Sequence, residues 1–445
     1  MNLENLKDRS VLLFGKPRAL GGDEFDRLLK TAGIRRADTF EDGVLVVEGR
    51  MVNPVEQETL DRLYAEKGIL PVGIDAFEKA LCSQIDPDRI MMSLRLGGDR
   101  DRLRAFLQNP HIDDGFFLRL LALYDWNGEG FFDTDENRDV TAALIERFYE
   151  NIERNHNVQY ATLGLLHLLN QSDDAALVQT VGSLAPVRQA LRSDDRQMRG
   201  VLETLAAHPA ADTRTLGLFL RHGDDGLRTV VALRDGLDPA MQKALYDLRR
   251  RPLLEALAHN PSLIPELVET FAADEALAPV MWQHLRLDDA RFEQAVKTHA
   301  AVLAANETLT ETMQRTLLET GDTQTLVILA ANPKLVRAEA LAGLGIPAVD
   351  EALAANPATP AALLRKLGET GRYATALAKN PATPPELLRR LYETGGHDTL
   401  LALAANESAP VDILQQLQID SRYERTVKMN DAFAAHIKRE QIGWL

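Results

Sequence analysis

LAANPATPAALLRKL, beginning at Leu353, returns as LAKNPATPPELLRRL, beginning at Leu377, with Leu, Ala, Asn, Pro and Thr at the same places. Two flanking copies keep the frame, LAANPKLVRAEALAGL from Leu329 and LAANESAPVDILQQL from Leu403. The landmark residues Asn332, Asn356, Asn380 and Asn406 recur about every 24 residues, the mark of a repeat array. Weaker copies precede them: LAAHPAADTRTLGLF from Leu205, LAHNPSLIPELVETF from Leu257 and LAANETLTETMQRTLL from Leu303. A diverged copy is expected between Asn260 and Asn306, and the last copy ends at Asn430.

The chemistry of one unit explains its punctuation. Asn380 can cap a helix start, and Pro381 fits a first turn. Thr383 offers a second cap, with Pro384 at the first helical position and Glu386 completing a capping box. Leu387, Leu388 and Leu391 give the longer helix its apolar face, while Leu377 and Ala378 pack the other side. The segments Glu369–Gly371 and Glu393–Gly395 end helices. A unit this short holds one helix of about three turns and one shorter helical turn. No unit buries its Leu face alone, so stacking must complete the core and create a long surface.

The L-A-x-N-P-x-T-P-x-x-L-L-x-x-L pattern resembles the leucine-rich repeat variant family over about Leu329–Leu417. That resemblance implies an α-helix alternating with a short 3₁₀ helix in a right-handed superhelix. The founding member of that family carries a cysteine-rich iron–sulfur module. Cys82 is the single cysteine here, so no such module and no redox role are expected. The Asn and Pro landmarks read as structural.

Working outward, the 445 residues exceed what one hydrophobic core organises. The composition is 45% hydrophobic, 26% charged and only 6% aromatic, favouring helices packed through small and aliphatic side chains. The net charge of −16 argues against broad nucleic-acid or anionic-membrane binding, which needs a basic surface. The run Arg249, Arg250 and Arg251 reads as a solvated helix face. No apolar run approaches the length that spans a bilayer, and MNLENLKDRS does not read as a leader, so a cytoplasmic protein is expected.

Residues 1–85 alternate between strand and helix patterns. SVLLF (Ser10–Phe14) reads as a buried strand closed by Gly15, Asp23 to Ala32 as a helix, and GVLVVEG (Gly43–Gly49) as a second strand. Pro54 to Lys67 reads as a helix capped by Asn53, with Val55, Leu60, Leu63 and Tyr64 inward. ILPVGI follows as a strand and DAFEKAL as a short helix. LKDRSVLLFGK, GVLVVEG and KGILPVGIDAFEKAL resemble a BRCT domain in their order. That family comprises protein-interaction modules of DNA repair and replication, some of which bind phosphopeptides through a Ser or Thr before the Gly that ends the first strand. Phe14 stands at that position, so the resemblance implies the fold with a degenerate phosphate pocket. Phe77 stands for the aromatic of the last helix, and Phe14 and Phe77 read as core.

Residues 86–200 are helical in pattern, with FLQNP (Phe106–Pro110) as an outlying repeat mark. Between two helical runs lies DWNGEGFFDTDE, Asp125 to Glu136. It fits the spacing of an EF-hand loop: Asp125, Asn127 and Glu129 as successive ligands, Gly130 at the turn, Phe131 through its carbonyl, then Asp133 and Glu136. Such oxygens would converge on Ca²⁺. The competing reading is an acidic inter-helix loop in which Asp and Asn serve as caps.

Other sites of chemistry are missing from the sequence. There is no Gly-rich phosphate loop with Lys-Ser or Lys-Thr and no HExxH. His208, His259 and His284 fall near repeat boundaries, where capping suffices, and the pairs Asp224–Asp225 and Asp288–Asp289 read as solvated loops. The expected protein is multidomain and mainly α. A small BRCT-like α/β domain occupies residues 1–85, a helical region 86–200, and a helical repeat superhelix, an α-solenoid, 201–445. Its expected role is a non-enzymatic scaffold for protein partners. Two alternatives are a DNA-maintenance factor contacting nucleic acid and a calcium-modulated adaptor. Apart from that Ca²⁺, no cofactor is expected.

Overall fold

The computed structural model describes residues 3–150, 157–193, 195–320 and 322–439. It is mainly helical, with one four-stranded parallel sheet near the start of the chain. No helix among the described residues is long and apolar enough to cross a membrane. The chain divides into two compact units, Met1–Val231 and Ala232–Leu445.

The first unit opens with β1 (Ser10–Phe14), α1 (Gly22–Thr31), β2 (Arg35–Arg36), β3 (Leu45–Glu48), α2 (Pro54–Lys67), β4 (Val72–Gly73) and α3 (Ile74–Cys82). The strands lie in the order β2-β1-β3-β4, all parallel. Alternation along β1 sorts the two faces. Val11 and Leu13 join Phe25, Leu28 and Leu29 of α1 and Phe77 and Leu81 of α3, whereas Leu12 and Phe14 join Val46 and Leu60 of α2. Phe14 and Phe77 are thus both buried. Gly15 and Gly49 let the loops after β1 and β3 cross, since a Cβ on either would meet a backbone carbonyl at 2.4 Å.

Several expectations shift. Asn53 caps α2 in a full capping box with Glu56, but Val55 and Tyr64 point to solvent, 74% and 59% exposed. Only Leu60 of that helix is buried, because the sheet face it covers is small. The ILPVGI strand contracts to Val72–Gly73, and Ile74 already starts α3. Two consecutive arginines carry no strand signal, yet β2 forms at the sheet edge, where both side chains remain exposed and β1 supplies the backbone pairing.

Helices follow, beginning with α4 (Pro87–Gly97), α5 (Arg100–Leu107), α6 (Asp114–Leu123) and α7 (Asp135–Phe148). They are not separated from the sheet by a linker. Arg102 of α5 grips Glu24 of α1 in a bidentate ion pair at 2.7 and 3.0 Å, nearly closed to solvent. Asn109 donates to the Cys82 sulfur at 3.4 Å.

The second unit is built of helix pairs. Each asparagine of the repeat ends one helix and precedes the next: α20 (Thr323–Ala331), α22 (Pro347–Ala355), α24 (Ala374–Lys379) and α26 (His397–Ala405) stop at Asn332, Asn356, Asn380 and Asn406. Their partners are α21 (Ala338–Ala342), α23 (Ala361–Glu369), α25 (Pro385–Thr394) and α27 (Val411–Ile419). In the units of Asn356 and Asn406 both helices are nine residues long, whereas the unit of Asn332 pairs nine residues with five and that of Asn380 pairs six with ten, so the long helix with a shorter partner holds in two of these four units. The Ala-rich segment before each Asn extends backward far enough to close its own α-helical bonds.

The asparagines form a ladder. Asn380 Nδ2 donates to the carbonyls of Ala354 and Asn356, both at 2.9 Å, and its Oδ1 accepts from the Ala382 N–H at 2.8 Å. Asn356 does the same to Ala330 and Asn332, and Asn406 to Ala378 and Asn380. Asn430 closes the series on Ala404 and Asn406. These carbonyls lie at helix C-termini, where the helix itself provides no donor. The diverged unit has Leu285 in place of the asparagine, and its backbone still receives Asn306, at the carbonyls of Trp282 and Leu285. His208 imitates the rung: Nδ1 accepts from the Ala210 N–H and Nε2 meets the Ser172 carbonyl.

Thr383 does not cap. Its hydroxyl donates to the Leu377 carbonyl at 2.7 Å, Pro384 is the N-cap, and the helix starts one residue later than the capping box required. The buried Gln242 and Gln314, unremarkable in the sequence, bridge to the following unit through Ser262 and Ile264, and through Lys334 and Val336. Arg249 and Arg250 lie in the connection between two helices, Arg251 is the first residue of the helix Arg251–Ala258 and pairs with Glu255 one turn on, and all three are exposed. Arg249 sits at a φ of 53° with its guanidinium over the Tyr246 ring.

Candidate functional site

The acidic loop Asp125–Glu136 is built around an aromatic cluster. Trp126 and Phe131 are buried against each other, with Tyr124 beside them, at ring separations of 5.3 and 5.0 Å. Asn137, fully enclosed, donates to the Gly130 carbonyl and accepts from the Tyr124 hydroxyl, both at 3.0 Å. Asp125 accepts from the Asn127 N–H, and Asp133 from the Gly130 N–H. The Phe131 carbonyl receives the Thr141 hydroxyl at 2.8 Å, and Glu136 faces Arg104 at 3.1 Å. Glu129 takes part in the turn through its N–H to Trp126. Four of the six residues picked for a cation, Asp125, Phe131, Asp133 and Glu136, thus offer oxygens already engaged with protein donors.

Among the described residues, the group of three potential ligand side chains whose donor atoms lie within 4.8 Å of one another is elsewhere: Asp75, Glu78 and His111. Glu78 is fully buried, and its carboxylate collects the N–H groups of Arg18, Ala19 and Leu20 at 2.9 to 3.1 Å. Three consecutive donors form an anion-holding concavity, and a cation in front of it would face their positive ends. Asp75 pairs with Arg18 at 2.6 Å. The arrangement ties the β1–α1 loop to α3 and is occupied by the chain's own carboxylate. Cys82, beside it, has its thiol pushed up to about 11, first by burial, against the lowering effect of the Asn109 hydrogen bond. A thiol held protonated there is a poor nucleophile.

The repeat asparagines are committed to backbone, as are the hydroxyls of Thr359 and Thr383. What differs between units is the solvent face. The paired positions Arg315–Thr316, Arg365–Lys366, Arg389–Arg390 and Gln415–Gln416 are all exposed, over constant buried residues such as Leu363, Leu364 and Leu367 or Leu387, Leu388 and Leu391. Inter-unit ion pairs run along this face: Arg337 to Glu311, Arg365 to Glu386, and Arg389 to Asp412.

A basic cavity lies in the first unit, walled by α9 (Ala175–Ser183), α10 (Ala185–Ala190) with the turn after it, and α12 (Thr213–His222). Its volume is about 350 Å³. Arg188, Arg192, Arg214, Arg221 and His222 line it, with Leu191 and Leu218 as apolar wall and no Asp or Glu among the lining residues. Sequence reading passes over it because these arginines belong to separate helices in a chain of strongly negative total charge. Their spacing, Arg188 to Arg192 and Arg214 to Arg221, was the one available sign. The chain matches no family model, no curated protein and no solved structure.

Proposed function

We propose that this chain is a non-enzymatic protein-interaction scaffold whose repeat half presents a recognition surface and whose α/β module, read as BRCT-like, offers a second docking element. The observation that carries the reading is the division of labour within the repeats. Interior leucines, asparagines and carbonyls recur from unit to unit, while the exposed pairs at 315–316, 365–366, 389–390 and 415–416 change in charge and size. A rigid, repeated interior under a varied exterior is what selective recognition by stacked units requires. For the module, the order β2-β1-β3-β4 with α1 and α3 on one face and α2 on the other supports the reading. With the donors of Arg18 to Leu20 held by Glu78, the docking role assigned to the module does not use a phosphate at that loop.

The test is a comparison of the full chain with a Lys366→Glu, Arg390→Glu variant. Both residues are exposed, so folding is preserved. Partners captured stoichiometrically by the parent and lost by the variant would support the surface. Identical capture by both proteins, together with identical capture after removal of the 24-residue unit spanning 356–379, which leaves Ala355 followed by Asn380, would overturn it.

A further inference from the structure

We propose that the cavity between α9, α10 and α12 is a binding site for a phosphate monoester, its phosphate held by Arg188, Arg192, Arg214 and Arg221 and its organic part seated on Leu191 and Leu218. Guanidinium groups brought around one space repel each other, and proteins ordinarily relieve this with carboxylates. Elsewhere in this chain many arginines are relieved in this way: Arg102, Arg104, Arg119, Arg147, Arg199, Arg286, Arg337, Arg365 and Arg389 each face an acid. The four arginines of the cavity have no carboxylate within ion-pair distance among the described residues, although acids outnumber bases by 66 to 50 in the sequence. Arg188 makes only a long contact to the Ser183 carbonyl, at 3.4 Å.

A second observation is independent of charge. Thr215 lines the cavity at 2% exposure, and its hydroxyl, packed against Gly182, has no hydrogen-bond partner. A buried hydroxyl without a partner is costly and uncommon, so it marks a place where a ligand or water completes the structure. The anion class follows from stoichiometry. One carboxylate satisfies one guanidinium fork, whereas a dianionic phosphate presents three terminal oxygens and can be shared by several. The volume falls within the usual range for small-molecule pockets, and the two leucines give it an apolar side. Because the arginine side chains are largely exposed, the attraction is screened, and binding weakens as salt is raised.

The experiment is calorimetric titration of the full chain with phenyl phosphate, inorganic phosphate and benzoate at constant ionic strength. Saturable binding is expected in that order of affinity. An Arg214→Gln, Arg221→Gln variant with an unchanged thermal midpoint is expected to bind phenyl phosphate at least tenfold more weakly, about 1.4 kcal/mol. Thr215→Val is expected to weaken binding without loss of stability, since it removes no hydrogen bond present in the structure. An N-acetylated phosphoserine peptide that competes with phenyl phosphate would identify a phosphorylated protein segment as the source, and failure to compete would identify a free small molecule. The proposal falls if phenyl phosphate gives no saturable heat, if benzoate binds as well, or if the double variant binds like the parent.

Discussion

Replacing Asn380 with Ala removes one complete rung of the asparagine ladder. The side chain is fully buried, and three hydrogen bonds of 2.8 to 2.9 Å go with it. Each contributes about 1 kcal/mol net. The groups left behind are the carbonyls of Ala354 and Asn356 and the N–H of Ala382. Each unsatisfied buried group costs about 1–3 kcal/mol, although these three share the small void that the mutation opens. The expected loss is therefore about 3–5 kcal/mol, a large part of the stability of an ordinary domain. Stacked units contact only their neighbours, so weakening this rung also uncouples the units on either side. Urea unfolding followed by far-UV circular dichroism should show a lower midpoint and a shallower or split transition. Asn380→Asp preserves volume and the acceptor to Ala382 but turns an oxygen toward two carbonyls, and it should be at least as damaging. A loss below about 1 kcal/mol for Asn380→Ala, or tolerance of Asp, would refute the claim that the ladder holds the units together.

Glu78→Gln should destabilise the first unit by about 1–3 kcal/mol, because an amide nitrogen would face one of three backbone N–H donors; a thermal midpoint equal to the parent's would contradict the anchoring role. Cys82 should resist thiol reagents at mildly alkaline pH in the native protein and react once per chain in denaturant; rapid native labelling would show that burial does not protect it. His284 is held below its ordinary value first by burial and then by His259, whose ring lies 4.6 Å away. A histidine depressed in the folded state takes up a proton on unfolding, so the stability it contributes is present above its ordinary pKa of about 6.5 and is lost as pH falls through the depressed value. The thermal midpoint should drop on acidification through that window, and His284→Gln should flatten the drop. Arg102→Met should leave Glu24 charged and poorly paired in a nearly closed site, lowering stability by about 3 kcal/mol or more, whereas the double change with Glu24→Leu should recover most of it.

Much of this architecture was legible from local chemistry. The apolar face Leu387, Leu388 and Leu391 follows from 3.6-residue spacing, and the Asn53–Pro54 signature marks the start of α2 from two side chains that act within one turn. The repeat period is written in the chain because every unit must solve the same packing problem. The acidic loop shows where such reasoning stops. Spacing places Asp125, Asp133 and Glu136 in one loop, but the partners that engage it are Arg104 of α5 and Asn137 and Thr141 of α7, and no rule of spacing reveals them.

By itself, the sequence determined what depends on neighbours within a few residues: helix faces, the Asn53 cap, the strand β1 and the cadence of the asparagines. Tertiary structure alone decided where each asparagine's amide points, because its two acceptors lie a full unit earlier in the chain. It also decided that Glu78 closes the loop of Arg18 to Leu20 across some sixty residues, and that arginines of separate helices face one cavity. The physical reason is common to all three. A hydrogen bond or a shared electrostatic field depends on distance in space, and only the packed chain sets which distant residues come within its reach.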